Sequence, residues 1–121
     1  MKVYTDVEQS MKLDKILPKD SYDMYLSRID DGRTYIPHFG KTIVIDRNMF
    51  SYRSGYVVPC WSLAALIKVL PKIHNLKPVI DLEEISIQYS GTDIYVTATD
   101  LVDACYETII KNYEQNKDIT I

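Results

Sequence analysis

The feature that most constrains the fold is a pair of alternating runs in the C-terminal half of the sequence. Residues 85–90 (ISIQYS) and 94–99 (IYVTAT) each place apolar side chains at every second position, and Ser90-Gly91-Thr92-Asp93 between them is a turn sequence. Alternation with a period of two predicts a β-hairpin that buries one face. Because that face has to be covered, we expect helices to pack on it.

The segment VVPCWSLAALIKVLP, residues 57–71, predicts a helix with a defined start and end. Ser62 is the expected N-cap, and Pro71 ends the helix because the residue before a proline is pushed out of helical space. Trp61 and Leu66 have the spacing of a hydrophobic staple across this cap. The tryptophan therefore has a structural role that requires no ligand. Four side chains make the apolar stripe of the helix: Leu63, Leu66, Ile67 and Leu70.

Helices are also predicted at both ends of the chain. Residues 5–8 (TDVE) have the pattern of a capping box with Thr5 as N-cap, followed by a helix from Asp6 to about Leu17. Near the other end, Thr99 or Asp100 begins a helix, and residues 116–121 fray or form a short extended tail. The apolar side chains of this last helix recur at helical spacing: Val102, Cys105, Tyr106, Ile109, Ile110 and Tyr113.

Short strands are predicted for much of the remaining chain, and residues 48–55 (NMFSYRSG) are predicted to form a loop. Three helices and several short strands without a repeating strand–helix order indicate an α+β protein. We expect a small antiparallel sheet with about three helices packed on one face, in a single globular domain covering residues 1–121. The strand candidates besides the hairpin are residues 21–27, Thr34–Ile36, Thr42–Asp46 (TIVID) and Val57–Val58.

Composition and charge exclude several classes of protein. The chain has 121 residues and a net charge of −3, whereas a whole-surface nucleic-acid binder is usually strongly basic. The first residues lack the apolar run of a signal peptide, and no apolar stretch approaches the ~20 residues that span a bilayer. We therefore predict a cytoplasmic protein that does not act at a membrane.

The two cysteines could carry chemistry only with suitable neighbours. Cys60 and Cys105 both lie in apolar contexts, which favours buried, reduced thiols, and a disulfide between them is an alternative. A thiol just before a helix start can be activated, so a small thiol enzyme at Cys60 is also an alternative. It needs a histidine base, for which the chain offers His38 and His74. The glycine-flanked cysteine of papain-like proteases is missing, and we predict no catalytic residue.

The sequence carries no pattern typical of a metal or cofactor site. The cysteines and histidines are scattered without Cys-x-x-Cys or His-x-x-x-His spacing. Four glycines in the whole chain, none spaced as in a phosphate-binding loop, argue against a nucleotide-binding enzyme. We predict neither a metal nor a cofactor.

Residues 28–56 form a basic-aromatic segment that folding alone does not explain. Five cations against three acids give it a charge of +2, which leaves −5 for the rest of the chain. Arginine and tyrosine dominate the hot spots of protein interfaces, and aromatic rings beside cations also suit single-stranded nucleic acid. An alternative is that these aromatic rings pack onto the sheet and the arginines face solvent. The candidate binding residues are Arg33, Tyr35, Arg47, Tyr52, Arg53 and Tyr56.

Several motifs outside this segment resemble a family of small uncharacterised proteins from gut anaerobic bacteria and their phages or integrated elements. The motifs are Glu8-Gln9-Ser10, Asp23-Met24-Tyr25, Pro59-x-Trp61-Ser62-Leu63 and Asp103-Ala104-Cys105 with Glu107, Ile109 and Ile110. The resemblance implies a phage or mobile-element origin. It implies no activity.

Three functions follow from these observations. The first is a non-enzymatic, cytoplasmic protein-interaction or accessory module, whose partner is an unknown protein or a second copy of the chain. The second is a nucleic-acid-associated regulator that uses residues 28–56, which requires Arg33, Lys41, Arg47 and Arg53 to share one face. The third is the thiol enzyme, which a buried Cys60 would exclude.

Overall fold

A computed structural model describes residues 2–29, 31–40, 45–70 and 78–116. Within these ranges the strands form two three-stranded antiparallel sheets, in the orders β2-β1-β3 and β4-β5-β6. The predicted α+β class is confirmed, but the expected single sheet is divided into two. The elements in chain order are α1 (Val7–Asp14), β1 (Met24–Arg28), β2 (Tyr35–Phe39), α2 (Phe50–Arg53), β3 (Val57–Cys60), α3 (Leu63–Val69), β4 (Pro78–Asp81), β5 (Ser86–Tyr89), β6 (Tyr95–Thr97) and α4 (Leu101–Asn116).

The first sheet buries both of its faces around β1. Met24 lies opposite Cys60, and Leu26 lies opposite Val58, so these four side chains share one face and form a small buried cluster. The N-terminal segment and the first turn of α1 cover this cluster. Tyr25 points to the other face, where it joins the main core. That main core also contains side chains of α3, β5 and α4, so it connects the two sheets.

The N-terminal segment extends the outer edge of β3. Thr5 N–H donates to the Trp61 carbonyl at 3.0 Å, and Leu63 N–H donates to the Val3 carbonyl at 3.0 Å. Tyr4 and Ser62 form an isolated antiparallel bridge between these two bonds. This pairing holds Thr5 in extended backbone, so α1 begins only after it.

The cap of α1 lies one residue later than predicted. Asp6 is the N-cap, its carboxylate accepts from Gln9 N–H, and the Gln9 side chain accepts from Asp6 N–H. The prediction of Thr5 as cap was wrong because Thr5 is used by the pairing with Trp61. The helix also ends at Asp14, not at about Leu17.

The starts of α3 and α4 agree with those predicted from the sequence. Ser62 caps α3 by accepting from Ala65 N–H, and the Asp100 carboxylate accepts from Asp103 N–H at the start of α4. Trp61 and Leu66, the predicted staple, are both buried in the main core.

The second sheet contains the predicted hairpin and one strand more. Residues 86–88 of β5 pair with 95–97 of β6, as the alternation predicted, and α4 packs against both strands. The other edge is β4, for which the sequence analysis predicted no strand. Ile85 lies in the turn before β5 with φ of 55°, so the strand begins at Ser86.

Other predictions differ in detail or lie outside the described residues. The strand predicted at 21–27 is observed as β1, the strand at Thr34–Ile36 as β2, and Val57–Val58 begins β3. The loop predicted at 48–55 contains the one-turn helix α2. Most of the strand predicted at Thr42–Asp46, the helix stop at Pro71 and the tail after residue 116 lie outside the described ranges. In the ranges that are described, no helix is both long enough and apolar enough to cross a membrane.

Candidate interaction surface

The two cysteines are buried and are not joined by a disulfide. The Cys60 sulfur lies 3.6 Å from the Thr5 hydroxyl and 3.4 Å from the Thr5 carbonyl, and burial raises the pKa of its thiol. Burial also raises the pKa of the Cys105 thiol, to about 12. An activated thiol has a lowered pKa and an open approach, so Cys60 does not meet the requirement of the thiol-enzyme hypothesis.

His38 is directed away from Cys60. Its side chain lies opposite Tyr25, on the face of the first sheet that does not carry Cys60. The His38 ring stacks on the Tyr25 ring at 4.5 Å, and Nε2 lies 2.7 Å from the Ser27 hydroxyl. His74, the other candidate base, lies outside the described residues. Among the side chains that are described, no three of the His, Cys, Asp or Glu type gather as metal ligands would.

The basic-aromatic segment contributes an exposed apolar surface around α2. The Phe50 side chain is 77% exposed, Met49 beside it is 51% exposed, and Tyr56 is 42% exposed. The rings of Phe50 and Tyr56 are 6.5 Å apart. The Arg28 guanidinium lies 4.0 Å above the Tyr56 ring, while Arg28 N–H donates to the Tyr56 carbonyl. We name Arg28, Met49, Phe50 and Tyr56 the α2 patch.

Behind the α2 patch, two predicted residues meet a carboxylate of α1. The Arg47 guanidinium forms an ion pair with Asp14 at 2.7 Å, and the Tyr52 hydroxyl donates to the same carboxylate. The hydrogen bond to Asp14, together with burial, raises the pKa of Tyr52. The Asp14 side chain is only 9% exposed. These contacts fasten the segment before α2 to α1, so Arg47 and Tyr52 have a structural role here.

A groove runs between α1 and the segment that leads from α2 into β3. It encloses about 260 Å³, and its walls are mostly apolar. Lys15 and Arg53, both exposed, supply its cations. Its lining consists of Met11, Asp14 and Lys15 of α1, Tyr52 and Arg53 of α2, then Gly55 and Val57–Pro59.

The six predicted binding residues are therefore divided among different places. Tyr52 and Arg53 line the groove, Tyr56 belongs to the α2 patch, and the Tyr35 hydroxyl donates to the Gly55 carbonyl at 2.8 Å. Arg33 lies in the exposed turn between β1 and β2, where its backbone N–H donates to Asp31.

For the nucleic-acid hypothesis, the four required cations have different surroundings. Arg47 is bound to Asp14, Arg53 lines the groove, and Arg33 lies on the turn between β1 and β2. Lys41 lies outside the described residues.

Residues of the candidate surface that the sequence analysis did not select are Arg28, Met49 and Phe50. All three belong to the basic-aromatic segment, so the sequence alone shows that an arginine and two apolar residues stand there. The sequence does not show that they are exposed, because their exposure depends on α2, a helix in a segment that was predicted to be a loop.

Comparison of the chain with protein-family models, with curated proteins and with solved structures gave no match. The resemblance to proteins of gut anaerobes and their phages therefore stays a prediction.

Proposed function

We propose that this protein is a protein-interaction module whose binding surface is the α2 patch. The observation that carries the proposal is Phe50, a residue that is 77% exposed and whose ring lies 6.5 Å from the Tyr56 ring. Burying exposed apolar surface is favourable by roughly 25 cal/mol per Å². A phenylalanine, a tyrosine and an arginine in contact match the composition of interface hot spots.

Arg28 adds to the argument because part of its side chain has already lost water. Its Nε is buried and has no hydrogen-bond partner among the described residues. The guanidinium is held over Tyr56, so little side-chain entropy remains to be lost when a partner covers it.

The proposal can be tested by photo-crosslinking in cells that naturally produce the protein. A photoreactive phenylalanine analogue replaces Phe50 in one variant and Leu82 in a control. Leu82 lies after β4 and is 72% exposed, so the two sites match in exposure. We expect a light-dependent protein adduct from position 50 and none from position 82. Adduct formation to nucleic acid, or no adduct from position 50, contradicts the proposal.

The adduct also shows whether the partner is a second copy of the chain. In that case the crosslinked species has twice the monomer mass of 14.0 kDa, and light scattering of the purified protein gives the same ratio. For either partner, Phe50→Ser is expected to weaken the purified complex about thirtyfold or more, the effect of losing a hot spot of ~2 kcal/mol. Leu82→Ser is the matched control and should leave affinity unchanged.

The proposed setting is the cytoplasm of a bacterium that carries a phage or an integrated element. The family resemblance supports this setting. Fractionation of producing cells tests it, because recovery of the protein with membranes or in the periplasm would contradict the proposal.

A further inference from the structure

We infer that the protein forms a two-fold symmetric dimer in which β6 pairs with β6 of a second copy. The inference goes beyond the proposed function, because β6 belongs to the second sheet and has no residue in the α2 patch. Two features support it. Among the sheet edges that the structure describes, β6 is the one without a proline, and a cleft with balanced charges lies along it.

Both outer edges of the first sheet carry a proline that faces outward. Arg28 N–H donates to the Tyr56 carbonyl, so even-numbered residues of β1 and β3 bond to each other, and Pro59 faces away from β1. Leu26 is among the residues that bond to β3, so Pro37, which lies opposite it in β2, also faces outward. Proline has no N–H, and prolines at sheet edges hinder pairing with another strand.

The second sheet has one edge of each kind. Tyr89 N–H donates to the Ile94 carbonyl, so odd-numbered residues of β5 bond to β6 and even-numbered residues bond to β4. Pro78 of β4 lies opposite Tyr89 and therefore faces outward. The outward residues of β6 are Tyr95 and Thr97. This edge therefore keeps all of its outward donors and acceptors.

The outward groups of β6 match those of an identical strand. Tyr95 and Thr97 are both exposed, and in the described part of the chain their backbone N–H and C=O groups have no hydrogen-bond partner. Antiparallel pairing about a two-fold axis at Val96 would place Tyr95 opposite Thr97 of the copy. Each such pair exchanges two hydrogen bonds, so the outward groups of both strands would be satisfied.

A cleft of about 650 Å³ lies along this edge, between β6, α4 and the Lys12 side chain of α1. We name it the β6 cleft. Tyr106 and Ile110 of α4, both half-buried, form its apolar part. Because β6 is short, backbone pairing supplies only part of the association, and burial of these two side chains adds to it. No hydrogen bond or ion pair between described residues joins β6 to α4 across the cleft.

The charges of the β6 cleft select a second copy as its occupant. Lys12 and Lys111 line it together with Glu107 and Glu114, and none of the four forms an ion pair with another described residue. A two-fold interface brings the same surface together from both copies. Two cations and two acids are complementary to an identical set, whereas a strongly acidic or basic partner would meet like charges.

Sedimentation equilibrium of the purified protein tests the inference. We expect the mass to rise with concentration from 14.0 kDa to twice that value. The amides of Tyr95 and Thr97 should become protected from hydrogen exchange as the dimer forms. Thr97→Pro removes a donor that faces away from β5, so it costs no bond within the sheet. It should weaken dimerisation about tenfold or more, since each copy loses one hydrogen bond.

Charge variants test the cleft without changing the backbone. Glu107→Lys with Glu114→Lys makes its charges entirely basic, and Lys12→Glu with Lys111→Glu makes them entirely acidic. Each double variant alone should stay monomeric at concentrations where the wild type is dimeric. An equal mixture of the two should form dimers, because opposite charges then face each other.

A matched control separates the effect of the cleft from that of net charge. Glu8→Lys with Glu83→Lys changes the net charge as the basic variant does, at exposed positions outside the cleft, and should dimerise like the wild type. Circular dichroism checks that every variant remains folded. The proline and the charge variants alter different parts of the interface, so if one does not fold the other still decides.

Three results would overturn the inference. They are a mass that stays at 14.0 kDa, which would leave the edge to a strand of a different protein, a dimer whose Tyr95 and Thr97 amides still exchange freely, and dimers of each charge variant alone. The proposed function fails separately. If Phe50→Ser abolishes the dimer and Thr97→Pro does not, the copies meet through the α2 patch and the assignment to β6 is wrong. If the dimer forms through β6 but position 50 gives no crosslink, the proposed role of the patch is wrong.

Discussion

The Cys60 side chain is enclosed by polar groups of the N-terminal segment. The Thr5 hydroxyl lies 2.8 Å from the Ser10 hydroxyl and 3.6 Å from the Cys60 sulfur, and all three residues are fully buried. The Trp61 indole beside them donates to Ser21. Through these contacts Cys60 and Trp61 connect α1, β3 and α3. This structural role explains both residues without assigning either of them a catalytic function.

At this scale we predict that both thiols are unreactive in the folded protein. Thiolate is the reacting form, and the raised pKa of Cys105, about 12 against the ordinary 9.0, reduces its thiolate about a thousandfold. Cys60 has a raised pKa and no exposed surface. Titration with a thiol reagent at pH 8 should count two thiols in the unfolded protein, with neither reacting quickly in the folded one. Rapid reaction at Cys60 in the folded state would restore the thiol-enzyme hypothesis.

At the scale of elements, the start of α1 shows where sequence patterns become ambiguous. Thr5 with Glu8 and Asp6 with Gln9 are two overlapping capping boxes, each satisfactory by itself. The choice between them is made by the pairing of Thr5 with Trp61, a contact between residues distant in sequence. Ser62 had no competing neighbour, and its cap was predicted correctly.

Substitutions in the first turn of α1 distinguish the two boxes. Asp6→Ala should lower the free energy of unfolding by about 1 kcal/mol. Asp6→Asn should lower it much less, because asparagine also caps helices. Glu8→Ala is the control, because Glu8 is exposed in the same turn and is not part of the observed box. Urea unfolding measures all three variants. A larger loss for Glu8→Ala than for Asp6→Ala would place the cap at Thr5.

The difference between local patterns and contacts distant in sequence also explains how much of the candidate site was predictable. The density of arginine and aromatic residues in 28–56 is a local property, and it led to Tyr52, Arg53 and Tyr56, which do line the groove or the α2 patch. The groove itself requires α1 beside β3, and the capture of Arg47 requires Asp14 of α1. No local pattern gives these positions.

At the scale of the whole molecule, the N-terminal segment is tied to α4 by charge. The Lys2 ammonium lies 2.8 Å from Asp103, which also accepts from the Gln9 side chain. The hydrogen bond from Lys2 lowers the pKa of Asp103. The hairpin and α4 were predictable because their periodicity is local. The ion pair and the division into two sheets were not, since both depend on residues far apart in sequence.

This ion pair predicts a dependence of stability on pH. A carboxyl whose pKa is lowered by folding contributes stability above its ordinary pKa of about 4, and that contribution is lost as pH falls through the lowered value. Asp103→Asn should therefore lower the free energy of unfolding at pH 7 by about 0.2–1 kcal/mol, a range that allows for solvent screening of a partly exposed pair.

Urea unfolding between pH 3 and 7 checks this prediction. The difference between the wild type and Asp103→Asn should shrink toward pH 3 and also shrink in high salt. Asp93→Asn, at an exposed aspartate in the turn between β5 and β6, supplies the comparison. A difference that stays constant with pH would assign the effect of Asp103→Asn to lost hydrogen bonds alone.

The proline at position 59 also affects how two copies of the chain could meet. Proline has no N–H, so residues 57–59 of β3 have only one backbone donor and two acceptors that do not face β1. With each hydrogen bond contributing about 0.5–1.5 kcal/mol net, backbone pairing along this edge is too weak to hold two copies together. The edge, which α1 also flanks, is therefore protected against edge-to-edge aggregation.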